Sequence, residues 1–278
     1  MNKTLRRLRP WTWSRRLCAA GFLALLLVAA RGGPPWIVGS PNGTELLGLV
    51  PFTDPLVALE VGLASRTWMG TVALGAGLTL GLALLLGPVF CGWLCPLGLL
   101  LDLAGAPRRA LERWLPRRRL PELRFPREIK VGLLLGALAF SLVRRAPVFA
   151  ALSPIQGVAR VLLFGVEAAL WVVAGLVLLE LVAPRVWCRS LCPLGALYGA
   201  VGRRGLLRVR IDPERAGQIR CQRCELACPM GLRVMSDFSL RGAAFVDHPD
   251  CTRCGACTEI CPNEVLRLGV REAGGRDG

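Results

Sequence analysis

Histidine is almost missing from this chain: His248 is the single one in 278 residues. Haem held by two histidines is thereby excluded. No C-x-x-C-H offers a c-type haem its attachment point either. Acidic residues are scarce, with 19 Asp and Glu against 35 Lys and Arg, for a formal net charge of +16. In a soluble protein that excess points to nucleic acid. Here the basic residues form no single stripe with interleaved aromatics, so nucleic-acid binding is a poor reading. The apolar segments also lack the paired charges and broken half-helices of a transporter. What fills the chain is apolar: 53% of residues are hydrophobic and the mean hydropathy is +0.48.

Cysteine is the residue present in excess, at 12. Cys251, Cys254, Cys257 and Cys261 follow the spacing C-x2-C-x2-C-x3-C, with Pro262 next. That is the bacterial ferredoxin run for a cubane iron–sulfur cluster. Zinc favours two separated C-x2-C pairs instead. A disulfide framework belongs to oxidising compartments, whereas this spacing points to metal and a reducing one. A shortened copy lies upstream, Cys221, Cys224 and Cys228 before Pro229, with Gln218 at the first position. In two-cluster ferredoxins the fourth cysteine of each run ligates the other cluster. Cys251, Cys254, Cys257 and Cys228 are then expected to hold a complete 4Fe-4S cluster. Cys221, Cys224 and Cys261 hold a second, one thiolate short. A 3Fe-4S cluster, a non-cysteine ligand or a cysteine from elsewhere would each complete it.

In chain order, the basic segment 1–16 precedes an apolar run, Leu17–Ala30, without a convincing cleavage site, so an uncleaved helix is expected. Met69–Phe90, Ile129–Val143 and Val158–Val182 read as three further spans. Leu46–Ala64, interrupted by Pro51, Asp54, Pro55 and Glu60, reads as interfacial or re-entrant. Segments 1–16, 91–130 and 184–278 hold six, nine and fifteen Lys and Arg, and the opposite loops 31–67 and 144–160 two and three. The excess orients both termini to the cytoplasm of a multi-pass inner-membrane protein. Leu206–Ile211 and Val265–Leu268 read as paired strands flanking the ferredoxin runs.

The expected fold class is a membrane all-α domain of four transmembrane helices, a two-fold repeat of helix pairs, plus a small α+β two-cluster ferredoxin-like domain. The boundaries are a basic tail 1–16, a membrane domain 17–203, an iron–sulfur domain 204–270 and a flexible tail 271–278. The repeat rests on CGWLCPLG from Cys91 and CRSLCPLG from Cys188, preceded by Asp54-Pro55 and Ser153-Pro154. On a helix, cysteines at i and i+4 share one face, and the proline then breaks or starts a turn. Cys91, Cys95, Cys188 and Cys192 could jointly hold a third metal centre, cycle between dithiol and disulfide, or be structural; duplication favours a redox or metal role. Glu167 and Glu180 lie inside an apolar run, and with Glu60 and Asp54 they are candidate acceptors of a proton. His248 reads as a solvated loop residue, with the missing fourth ligand as the alternative.

Together CGWLCP at 91–96, CRSLCP at 188–193, CQRCELACP at 221–229 and CTRCGACTEICP at 251–262 resemble the NapH family. These are ferredoxin-type membrane subunits, akin to the methylamine-utilisation ferredoxin-like proteins. The resemblance spans roughly Arg15 to Gly269 and departs at Gln218, where a cysteine is expected. It implies oxidation of quinol from the membrane lipid and transfer of electrons through iron–sulfur clusters. The partners would be redox proteins of ferredoxin or cytochrome type in a reductase system. Two other readings are carried beside it: an assembly factor supplying electrons to a metalloenzyme, and a membrane scaffold with structural clusters.

Overall fold

Proline opens five of the helices, at N1 or at the first helical position, where its missing N–H costs nothing. The computed structural model describes residues 10–30, 37–40, 43–46, 50–108, 125–165, 167–217 and 221–270. In chain order these form α1 (Pro10–Ala30), then a three-stranded antiparallel sheet of β1 (Ile37–Ser40), β2 (Gly43–Leu46) and β3 (Val50–Thr53). Next come α2 (Pro55–Ser65), α3 (Gly70–Leu86), α4 (Val89–Trp93), α5 (Pro96–Ala104), α6 (Ile129–Arg144), α7 (Phe149–Leu152), α8 (Pro154–Phe164) and α9 (Glu167–Val182). A π turn at Trp187–Leu191 leads into α10 (Pro193–Val201). The chain ends in β4 (Leu207–Ile211), α11 (Arg223–Ala227), α12 (Ala256–Ile260) and β5 (Leu266–Val270).

The expectation of four membrane-spanning helices is corrected here. Among the described residues, no helix is long and apolar enough to cross a membrane. A span needs about 20 consecutive apolar residues. The run Met69–Phe90 stops at 17 residues in α3, because Gly87 leaves the helix at φ +84°. The run Val158–Val182 is divided by Gly165, at φ +61°, between α8 and α9. α6 has 16 residues and ends at Arg145 in a left-handed conformation. α1 reaches 21 residues, but its first half carries Arg15 and Arg16, and Arg15 is buried in an ion pair. The stretch Leu46–Ala64 holds the last residue of β2, then β3 and α2, with Leu46 pairing Val50.

The repeat is visible in the fold. In each copy a proline-started helix (α2 or α8) precedes an apolar helix (α3 or α9), a short turn carrying the first cysteine, and a helix begun by Cys-Pro (α5 or α10). The helical core is built from Leu56, Val57, Phe149, Leu194 and Tyr198 on one side and Leu97, Leu101 and Val158 on the other.

The second core lies under β4 and β5, which pair antiparallel from Leu207 with Val270 to Ile211 with Leu266. Val209 and Ile211 alternate onto the inner face, with Met230, Leu232, Val234, Val246 and Leu266. The two cores join where glycines permit backbone contact. Gly202 and Gly205 lie against Gly87, and the N–H of Leu206 donates to the carbonyl of Leu85 at 2.6 Å. α1 ties on from the other side. Thr12 donates from its N–H (2.8 Å) and its hydroxyl (2.6 Å) to the Glu259 carboxylate, which also suits the positive end of α1.

Candidate metal centres

Each ferredoxin run makes the same local structure. Cys224 sits in α11 and Cys257 in α12, and each short helix is entered through a left-handed residue, Gln222 (φ +51°) or Gly255 (φ +70°). Cys228 and Cys261 close the helices in extended conformation, φ −71° and −72°, because a residue before proline is barred from the helical region. That turns each of these cysteines away from its own helix. α11 packs against α12.

Two cavities result. Cys228, Cys251, Cys254 and Cys257 line one, walled by Val209, Leu232, Val234 and Val246. Cys221, Cys224 and Cys261 line the other, beside Met235, Ser239 and Arg215. The fold thus brings Cys228 to the downstream run and Cys261 to the upstream one. Gln218 lies outside the described residues. Burial pushes the Cys224 and Cys228 thiols up to about 11, and crowding by neighbouring cysteines adds to it. Burial and four nearby cysteines raise Cys257 further, while Arg253 partly offsets the rise at Cys251. Crowded thiols of this kind ionise when iron supplies the positive charge. Among the described residues, no three His, Cys, Asp or Glu converge as a single metal ion requires. Buried thiols around a cavity fit a cluster with its own width better than a lone zinc.

The two C-x3-C-P motifs also meet. Cys95 and Cys192 each N-cap the following helix in extended conformation, with proline at N1. Cys91 feels the charges of Cys95, Cys188 and Cys192, and burial is the main cause raising all four thiols, Cys95 to about 12. The pair of motifs is docked onto the four-cysteine cavity. Trp93 donates its Nε1–H to the Arg253 carbonyl at 3.2 Å. Arg189 donates from Nη2 to the carbonyl of Pro229 at 3.1 Å.

The acids of the helical part are mostly committed. Glu60 is wholly buried and accepts from the N–H of Phe149 at 3.0 and 3.1 Å. Glu180 accepts from the N–H of Arg185 at 2.7 Å. The Glu167 side chain lies outside the described residues. Asp54 caps α2 and lies near enough to Cys192 to raise its thiol. His248 does not line the three-cysteine cavity; its Nδ1 accepts from the N–H of Asp250 at 3.0 Å, and burial lowers its pKa.

Sequence reasoning missed three buried charges. Asp102 pairs with Arg15 (2.6 Å) and with Arg185. Asp250, on the wall of the four-cysteine cavity, pairs with the buried Lys130 and with Arg127 at 3.3 Å. Arg253 has no carboxylate partner among the described residues and is 0% exposed. A lone acid in a long apolar stretch, Asp102, was the available signal for the first.

The chain matches the family described as a 4Fe-4S binding domain over residues 68–119 and 164–212, each stretch containing one C-x3-C-P motif. It matches the family described as a 4Fe-4S dicluster domain over residues 219–266, which contain both ferredoxin runs. It is 31% identical over 262 residues to the ferredoxin-type protein NapH of Haemophilus influenzae, covering 92% of this chain and 88% of that one. It is 32% identical to NapH of Escherichia coli, over 97% of this chain and 92% of that one. The methylamine utilization ferredoxin-type protein MauN of Methylorubrum extorquens is 31% identical over the same two shares, 97% and 92%. No solved structure matches the chain.

Proposed function

From the premise that this chain belongs to the family of ferredoxin-type iron–sulfur proteins that includes NapH and MauN, we propose that it oxidises a quinol and delivers the electrons to a partner reductase system. A quinol gives up two electrons and two protons, and an iron–sulfur cluster supplies one-electron storage when bound. The observation that carries the reading is the sorting of seven ferredoxin-type cysteines onto two adjacent cavities, with the C-x3-C-P turns docked on one of them.

In this reading Cys228, Cys251, Cys254 and Cys257 hold a 4Fe-4S cluster, and Cys221, Cys224 and Cys261 hold a second cluster short of one thiolate. Cys91, Cys95, Cys188 and Cys192 hold a third centre at the quinol end. Asp54, the acid near Cys192, is the group to take a proton; burial holds its pKa at about 6, where it can both accept and release one. Exposed leucines along α3 (Leu74, Leu78, Leu82, Leu85) and α9 (Leu170, Leu178, Leu181) support contact with lipid, where quinols dissolve.

The test is anaerobic. A menaquinol or ubiquinol analogue is added to the purified protein, and cluster signals are followed by low-temperature EPR. Appearance of reduced-cluster signals is expected, and Cys257→Ala should remove one of them. Clusters that respond to dithionite but to neither quinol would sink the quinol assignment and leave an electron donor of another class.

A further inference from the structure

Arg253 stands inside the downstream run, between Cys251 and Cys254, and its side chain is entirely buried. A charge at that depth is normally paired, since an unpaired one is strongly destabilising. Its Nη1 donates to the carbonyl of Val246 at 3.1 Å. Among the described residues, Nε and Nη2 are buried with no acceptor. The group it does face is Cys251, whose ionised form its charge favours. Its backbone is left-handed at φ +54°, a conformation that a long side chain keeps only where the surroundings over-determine it.

Its position is as telling as its isolation. Its carbonyl takes the Trp93 indole N–H, and a Cβ on Gly87 would come within 3.1 Å of its Nε. Gly92 is pressed against the backbone of Thr252. Residue 253 therefore joins the first C-x3-C-P turn, through its backbone, to the four-cysteine cavity, whose wall residue Val246 its guanidinium meets. The cation beside the three-cysteine cavity differs. Arg215 is 47% exposed and pairs with Asp212 at 3.5 Å, so solvent and a carboxylate screen it.

A four-iron cluster held by four thiolates is an anion, and it becomes more negative by one unit on reduction. A buried cation with no other counter-charge stabilises the reduced form more than the oxidised one, and net charge around a cluster is a main determinant of its potential. We propose that Arg253 sets the reduction potential of the centre held by Cys228, Cys251, Cys254 and Cys257, raising it so that this centre is reduced before its neighbour. The step is a one-electron transfer from a quinol, or from dithionite in the test. No bond forms or breaks and no proton is exchanged at Arg253. The inference rests on the ligand assignment above, and the two fail differently: no cluster signal at all would sink the assignment, whereas a normal signal with an unmoved potential would sink only the role of Arg253.

The experiment is a redox titration of the full-length protein, followed by low-temperature EPR, on the wild type, Arg253→Gln and Arg253→Lys. Arg253→Gln should keep its iron content and lower one midpoint by at least a tenfold change in the reduction equilibrium, about 59 mV for one electron. The other midpoint should stay put, and Arg253→Lys should recover most of the shift. Unchanged midpoints in Arg253→Gln, or equal shifts of both, would overturn the proposal. Should Arg253→Gln fail to take up iron, the wild type decides. With every arginine labelled with nitrogen-15 in its guanidinium, a pulsed-EPR coupling to the first cluster reduced that is present in the wild type and lost in Arg253→Lys supports the role, and a coupling absent from the wild type or kept in Arg253→Lys refutes it.

Discussion

Asp54 accepts hydrogen bonds from the N–H groups of Leu56 (2.9 Å) and Val57 (3.4 Å), which favour its carboxylate. Burial outweighs them and holds its pKa at about 6, against 3.8 ordinarily, with Glu60 adding a smaller push upward. The folded value lies above the unfolded one. Its stabilisation is therefore complete below about pH 4 and is lost as the pH rises through about 6. The loss is at most roughly 3 kcal/mol. Asp54→Asn keeps a cap on α2 and carries no charge, so its stability should be flatter than wild type between about pH 4 and about pH 7. Denaturant titrations across that range check this; parallel profiles would show that another group governs the slope. Asp54 and Glu60 were visible in the sequence as acids in apolar surroundings. Asp102 offered the same signal and was missed; Asp250 and Arg253 offered none, because nothing in the chain near them records which charges the fold will bury.

At the scale of elements, proline was the readable signal. Cys-Pro and Asp-Pro mark helix starts, and the structure begins α2, α5 and α10 there. The last two strands were readable too, and β4 pairs β5 on either side of the cysteine runs, whereas β1–β3 were not read as strands. Helix ends were harder, since Gly87 and Gly165 sit inside apolar runs that a hydropathy reading joins up. Gly87, at φ +84° and ψ −171°, is in a region open almost only to glycine, and a Cβ there would meet Arg253 Nε at 3.1 Å and the Gly202 carbonyl at 3.4 Å. Gly87→Ala should destabilise the protein by ~1–3 kcal/mol. Gly165→Ala, also left-handed but with open space around it, should cost less, ~1 kcal/mol. Denaturant midpoints of the two variants make the comparison, and equal costs would mean that the Gly87–Arg253 contact is slack.

At the scale of the molecule, the ferredoxin part has a thin apolar core in which Cys224, Cys251 and Cys257 themselves take part. Cores of this kind lean on metal for stability. Anaerobic iron chelation should therefore loosen residues 207–270 while the core around Leu56, Leu194 and Tyr198 stays protected, as hydrogen exchange would reveal. Uniform protection after chelation would mean that the domain stands without its clusters.

Spacing by itself determined the chemistry open to this chain. Four cysteines at C-x2-C-x2-C-x3-C, a shortened copy and a duplicated C-x3-C-P follow from sequence alone, because metal ligation by a local run depends on intervals along the chain. Hydropathy determined less than it promised. Apolar content records what avoids water, not whether a helix continues, and the turns at Gly87 and Gly165 divide runs that looked long enough to span a membrane. Only the tertiary structure decided that both C-x3-C-P turns press on the four-cysteine cavity, and that Arg253 lies beside it with no acid among the described residues to answer it. Those contacts join residues such as Trp93 and Arg253, 160 positions apart, and no local pattern encodes them.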